Sequence, residues 1–212
     1  MAQIPNGILG GISGTVGSVV GGSWRGIPYI RSKAPRRTDN PTPAQQAQRA
    51  KFALVGRFVY TLSSLLDFSC KAYAIRMTGT NSVVSYLMQH AITGTSPDFT
   101  LDFSKVLISR GELPGVLDPA VVAAGNGMVR FSWTDNSDSN MASANDRAIL
   151  VVHCPALQQS LYTTVGAYRR AGTYTLEATA FSGQQVHTWV GFISEDGELA
   201  ADSIYTGELI VL

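Results

Sequence analysis

Catalysis and metal binding need polar side chains brought together, so the histidines, cysteines and acids of this 212-residue chain come first. Its histidines, His90, His153 and His187, are isolated from one another in sequence. None has the i, i+4 spacing that sets two imidazoles on one helix face for a metal. His153 and Cys154 are adjacent in a stretch that reads as a strand. Successive strand side chains point to opposite faces, which argues against a shared metal or a nucleophile–base pair. Cys70 and Cys154 each lie among apolar residues with no CxxC partner, and read as buried thiols acting as small hydrophobes. A disulfide between them has no support in the spacing. There is no GxSxG elbow. The glycine run Gly10–Gly17 lacks GK[ST] and follows no strand, so it does not read as a phosphate loop.

Asp135, Asn136, Asp138, Asn140, Asn145 and Asp146 crowd one segment. Oxygen-rich loops can hold calcium, but this one lacks the spacing and terminal Glu of an EF-hand. It reads as a solvated interstrand loop with local Asx turns. The sequence thus nominates no catalytic residue, no cofactor and no metal ligand, and the chain reads as not an enzyme.

One group of residues does stand out. Residues 1–60 carry Arg25, Arg31, Lys33, Arg36, Arg37, Arg49, Lys51 and Arg57 against a single acid, Asp39, a net +7. The remainder holds eight bases and fourteen acids, a net −6. Such asymmetry fits a nucleic-acid arm, an arm lying on its own acidic body, or an arm docked on the body of another copy. Trp24 and Tyr29 precede the basic stretch, and Trp, Tyr and Arg are preferred interface anchors. The nominated contact residues are Val19, Val20, Trp24, Arg25, Tyr29, Arg31, Arg36 and Arg37. Charged residues make up only 15% of the chain, against about 25% in typical domains. A surface so poor in charge suits either burial against partners or a Ser/Thr/Asn/Gln-rich exterior.

The elements that must position these residues follow from patterning. Glycine recurs every three or four positions up to Gly26, too densely for a helix. The segment therefore reads as extended, with strands over Val16–Trp24 and Ile27–Ser32 joined at Arg25-Gly26. Glycine-rich strands suit places where another backbone approaches closely. Three prolines make residues 33–43 an extended linker. A helix follows: Thr42 as N-cap, Pro43 at N1, Gln45 completing a capping box, and an apolar stripe of Phe52, Val55, Val59, Leu62 and Leu66. A second helix spans about Ser82–Ile92. From residue 97 short alternating runs recur: Phe99–Ile108, Met128–Thr134, Ala148–Cys154, Tyr162–Tyr168, Thr173–Ala180, Val186–Ile193 and Ser203–Leu212. Seven such runs predict an immunoglobulin- or fibronectin-like β-sandwich with Trp133 and Trp189 as core anchors. The expected class is α+β, mainly β: a Gly-rich arm and hairpin over 1–33, a linker and helical region over 34–96, and a β-sandwich over 97–212.

Two strings carry a family resemblance: NGILGGISGTVGSVVGGSWRGIPYIRS and NPTPAQQAQRAKF. They resemble an uncharacterised family of Bacteroidota proteins known only as a domain of unknown function. The matching positions are Val19-Val20-Gly21, Trp24-Arg25-Gly26, Ile30-Arg31-Ser32, and Thr42, Gln45, Gln48 and Arg49. Ser109–Leu113, Phe131-Ser132-Trp133 and Ser203–Gly207 also look like that family. The hairpin and helix are similar to segments of phage-borne proteins as well. The resemblance implies a particle or appendage component by analogy and carries over no functional residue.

These readings converge on a non-enzymatic structural protein that self-associates through its arm, as a filament, shell or virion-like component. Partners are expected to be copies of itself, other structural proteins, and less favourably nucleic acid. The alternatives are a nucleic-acid-associated protein using the basic arm, and a carbohydrate- or protein-binding sandwich using loops 134–145 and 194–202. No signal h-region and no run of about 18 apolar residues occurs, so cytoplasmic synthesis without membrane insertion is expected, with later release in a particle.

Overall fold

The computed structural model describes residues 3–4, 7, 10–35, 39–137 and 141–212. Arg36, Arg37, Asp138 and Asn140 lie outside them. The chain divides into two compact units, Met1–Thr42 and Pro43–Leu212.

The first unit is a three-stranded antiparallel meander: β1 (Gly14–Val16), β2 (Val19–Trp24) and β3 (Ile27–Ser32), in that spatial order. The strand expected over Val16–Trp24 is broken at Gly17, whose φ of +54° opens a turn with Ser18. Arg25 (φ +49°) and Gly26 (φ +82°) form the two-residue turn between β2 and β3. Positive φ at both positions is the requirement of a type I′ hairpin, whose twist matches its strands. Gly21 is the one buried position among these three strands. A Cβ there would collide with the carbonyl of Ile12, so the glycine lets the preceding segment cross the sheet.

The second unit opens with α1 (Pro43–Tyr60), α2 (Ser63–Ser69) and α3 (Gly79–His90). Proline at the first helical position sets the start of α1. The predicted continuous stripe differs in two places. The helix stops after Tyr60, where the Thr61 hydroxyl donates to the Phe58 carbonyl at 2.7 Å, so Leu62, Leu65 and Leu66 pack from the next turn and α2. Phe52 is 59% exposed, and Phe58 fills the core in its place. Thr78 caps α3 by accepting from the Asn81 amide at 3.1 Å.

Next come a small hairpin, β4 (Ile92–Thr95) with β5 (Asp98–Leu101), and a 3-10 turn at Phe103–Lys105. The expected strand Phe99–Ile108 is thus a hairpin arm plus a turn. The sandwich strands are β6 (Leu117–Gly125), β7 (Met128–Thr134), β8 (Arg147–Cys154), β9 (Gln159–Thr163), β10 (Thr173–Glu177), β11 (Gln185–Ile193) and β12 (Ile204–Ile210). One sheet runs β10-β7-β6 and the other β12-β11-β8-β9. Three strands over four, with hairpins β6–β7, β8–β9 and β11–β12 and crossings between, make an immunoglobulin/fibronectin-like Greek-key sandwich. β6 escapes the sequence pattern because Pro119 and the left-handed Asp118 (φ +49°) interrupt it. Both are tolerated at a sheet edge.

Two apolar cores flank the four-stranded sheet. Leu150, Val152, Cys154, Val190 and Phe192 face the other sheet with Val129, Phe131 and Trp133. Ile149, Val151, Trp189 and Ile193 face the helices with Val55, Phe58, Val59 and Leu66. Burial on both faces explains why β8 carries the unbroken apolar run from Ala148 to Val152 and why β11 is buried from Thr188 to Ile193. His153 and Cys154 duly point to opposite sides, and both cysteines are free and buried.

Candidate functional site

The nominated contact residues lie on the first unit. Pairing of Val20 with Arg31, Gly22 with Tyr29 and Trp24 with Ile27 sets these six on one face of the sheet. Val20, Trp24, Tyr29 and Arg31 are therefore brought together, and Ile27 joins them though the sequence reading passed over it. Trp24 is 55% and Ile27 66% exposed, and every residue of β3 is exposed. Val19 points to the opposite face with Gly21 and Ile30, and Arg25 sits on the turn with its guanidinium 5.4 Å from the Trp24 ring centroid. Arg36 and Arg37 fall outside the described residues. The arrangement is a small sheet with aromatic and arginine side chains on a face that its own strands leave uncovered. Chemically it offers flat π surface, apolar area and one directional cation.

A few polar groups of the second unit turn inward instead, among them Asp146, His153 and Arg169. The Asp-rich segment is corrected in part: Asp146 is not solvated. Its Oδ2 accepts from Arg169 Nε at 3.0 Å and from the Ser143 amide at 2.9 Å. Asn136 Oδ1 accepts from Arg169 Nη1 at 2.6 Å, while the carbonyls of Pro114 and Gly115 accept at 2.9 and 3.2 Å. Arg169 is 0% exposed and lies 3.9 Å over the Phe192 ring. Nothing in the sequence around Arg169 signals its burial. Asp135 keeps the expected Asx turn with the Ser137 amide at 3.0 Å. Loops 134–145 and 194–202 meet through Asn145, whose amide donates to Glu195 Oε2 at 3.3 Å. Among the described residues no group of three His, Cys, Asp or Glu side chains is placed to hold a metal ion.

His153 and His187 are cross-strand partners on β8 and β11, brought together although far apart in sequence. Phe103 stacks on His187 at 4.0 Å and Phe58 meets His153 edge-on at 4.9 Å. His153 Nδ1 lies 2.8 Å from Ser160 Oγ, which is 2.6 Å from Thr61 Oγ1. Thr61 gives its one proton to Phe58, Ser160 donates to Thr61, and His153 Nδ1–H donates to Ser160. His153 is thus a neutral, hydrogen-bonded core histidine. Burial, aided by His187, pushes its pKa down from 6.5 to about 4. The unfolded chain takes up this proton near the ordinary value and the folded one only near the lowered value. Stability is therefore full above the ordinary value and falls as pH drops toward the lowered one, by up to about 3 kcal/mol. In urea titrations across that window, His153→Gln is expected to flatten the pH slope. An unchanged slope contradicts the assignment.

A family model described as a family of unknown function (DUF6266) matches residues 11–207. No curated protein matches the chain. Among solved structures, the chain has a partial likeness to the fn3 domain of the human collagen alpha-1(XX) chain. The identity is 12% and the TM-score 0.35, over 56% of this chain and 90% of that one. The sandwich assignment rests on strand order, not on this likeness.

Proposed function

The chain belongs to the DUF6266 family of unknown function, and from that premise we propose that it is a non-enzymatic building block that self-associates through its N-terminal sheet. It would serve as a component of a filament, shell or virion-like particle. The observation that carries this reading is the uncovered face formed by Val20, Trp24, Ile27, Tyr29 and Arg31. A small sheet gains independent stability only by burying a face, and this one buries a single glycine. Trp, Tyr and Arg on such a face are the residues that dominate binding energy when water is excluded.

Charge supports another copy of the chain as the partner. Met1–Thr42 carries five bases and one acid, a net +4, and Pro43–Leu212 eleven bases and fourteen acids, a net −3. A basic sheet docking on the acidic body of the next copy is a heterologous contact, which closes into rings or extends into filaments. The same face, with Arg31 beside two aromatics, also has the makings of a single-strand grip. That second reading predicts nucleic-acid binding that falls steeply with salt. No helix among the described residues is long and apolar enough to cross a membrane.

Deleting residues 1–33 tests the reading. The truncated protein is expected to run as a single chain by mass photometry where the full chain runs as a multimer. Retention of the multimer without residues 1–33 would remove the arm as the assembly element.

A further inference from the structure

A second surface feature belongs to the helical part of the second unit. Arg110 leaves the segment that follows the β4–β5 hairpin, its backbone N–H donating to the Ser69 carbonyl at 3.2 Å. Its guanidinium sits 4.1 Å from the Tyr73 ring centroid and 5.5 Å from that of Tyr86. Tyr86 in turn lies 4.7 Å from the His90 ring. Tyrosine, arginine, tyrosine and histidine thus form one continuous stack along α3 and the turn before it. Stacking occupies the flat faces of a guanidinium and leaves its N–H edge free to fork onto an acceptor.

Among the described residues no carboxylate pairs with Arg110, and its side chain makes no hydrogen bond. Of the acids near this segment, Asp202 is engaged by the Gly111 amide at 3.0 Å, and Glu112, two residues on, is exposed and forms no ion pair with Arg110. The stack opens on a cleft of about 350 Å³ that Ser85, Gln89 and His90 help to line. No acidic residue lines it, although the unit as a whole is acidic. A half-buried arginine with an idle donor edge, held by two rings beside Ser85, Gln89 and His90, is matched to an anion and not to a cation.

We propose that this cleft binds a small organic oxyanion. Arg110 forks two N–H groups onto a phosphate or carboxylate, and Ser85, Gln89 and His90 hold the body of the ligand by hydrogen bonds. The volume lies at the lower end of small-molecule sites, which sets the ligand at metabolite size. The site owes nothing to the assembly reading, since none of its residues belongs to the N-terminal sheet.

The test uses the full chain and four probes: inorganic phosphate, glucose 6-phosphate, citrate and, as the uncharged control, glucose. Saturable binding at millimolar concentrations, followed by NMR shifts of the Tyr73 and Tyr86 rings, is expected for at least one of the three anions and not for glucose. Preference for glucose 6-phosphate over citrate makes the ligand a phosphate ester, and the reverse makes it a carboxylate. Arg110→Gln is expected to weaken binding about tenfold or more. Ser85→Glu, an exposed change that leaves the stack intact, places a carboxylate against Arg110 and abolishes binding even if Arg110→Gln fails to fold. Failure of all three anions to shift the rings, or anion binding unchanged in Ser85→Glu, overturns the proposal.

Discussion

Replacing Arg169 with Met is expected to cost about 3–5 kcal/mol of stability, a substantial share of the total for a domain. The guanidinium is fully buried and each of its three nitrogens donates. Nε goes to Asp146, Nη1 to Asn136 and Gly115, and Nη2 to Pro114, with Phe192 under its plane. Methionine fills much of the volume but donates nothing. Asp146 then holds a buried charge against the Ser143 amide, the Pro114 carbonyl loses its donor, and the Gly115 carbonyl keeps only that of Asn136 Nδ2. Leaving such groups unpaired costs more than the pair contributes, which is why removing one partner is severe. For a chain of this size the melting temperature should fall by roughly 6–20 °C. A companion variant, Arg169→Met with Asp146→Leu, should recover part of the loss, because the stranded charge is gone. A single variant losing less than about 1 kcal/mol in urea titrations would show that water reaches the cluster and that it is not the clamp described.

Trp24→Glu combined with Tyr29→Glu is expected to disperse the assembly while leaving the fold intact. Both side chains are exposed on the first unit, so removing them from an isolated chain should change stability by less than about 0.5 kcal/mol each. In an assembled state the same rings would be buried. Each aromatic anchor lost there costs about 2 kcal/mol or more, roughly thirtyfold in affinity, and the added acids repel the acidic surface of the neighbour. Sedimentation velocity over a concentration series should then show the monomer where the parent chain associates. An unchanged distribution would place the contact elsewhere on the molecule.

Much of the sandwich is legible in the sequence because β7, β8, β10, β11 and β12 combine β-branched and aromatic residues with clear turns. The four-stranded sheet is more buried than alternation alone implies, because α1 and α2 cover its second face through Phe58, Val59 and Leu66. β6 is hidden by Pro119, and β1 by Gly17, each a residue that single-strand patterning treats as a break. The exposure of Phe52 could not be foreseen, since Phe52 and Phe58 fit a helical stripe equally well until the helix has a partner. The arm is legible to the level of its turn, because Arg25-Gly26 supplies the positive φ that a two-residue hairpin needs. That Val20, Trp24, Tyr29 and Arg31 share a face follows from register, which Gly-rich strands specify weakly from sequence alone. Arg169 and Asp146 are the plainest failures of sequence reading: twenty-three residues apart, each resembles a solvated loop charge until the fold closes over both.

The native mass of the purified full chain, measured across concentration and viewed alongside an electron micrograph, bears most directly on assembly through the N-terminal sheet. Assembly through this sheet predicts multiples of the single-chain mass, with rings or filaments in the image, and their loss in the Trp24→Glu/Tyr29→Glu variant. A single-chain mass at every concentration, with no ordered particles, would contradict it.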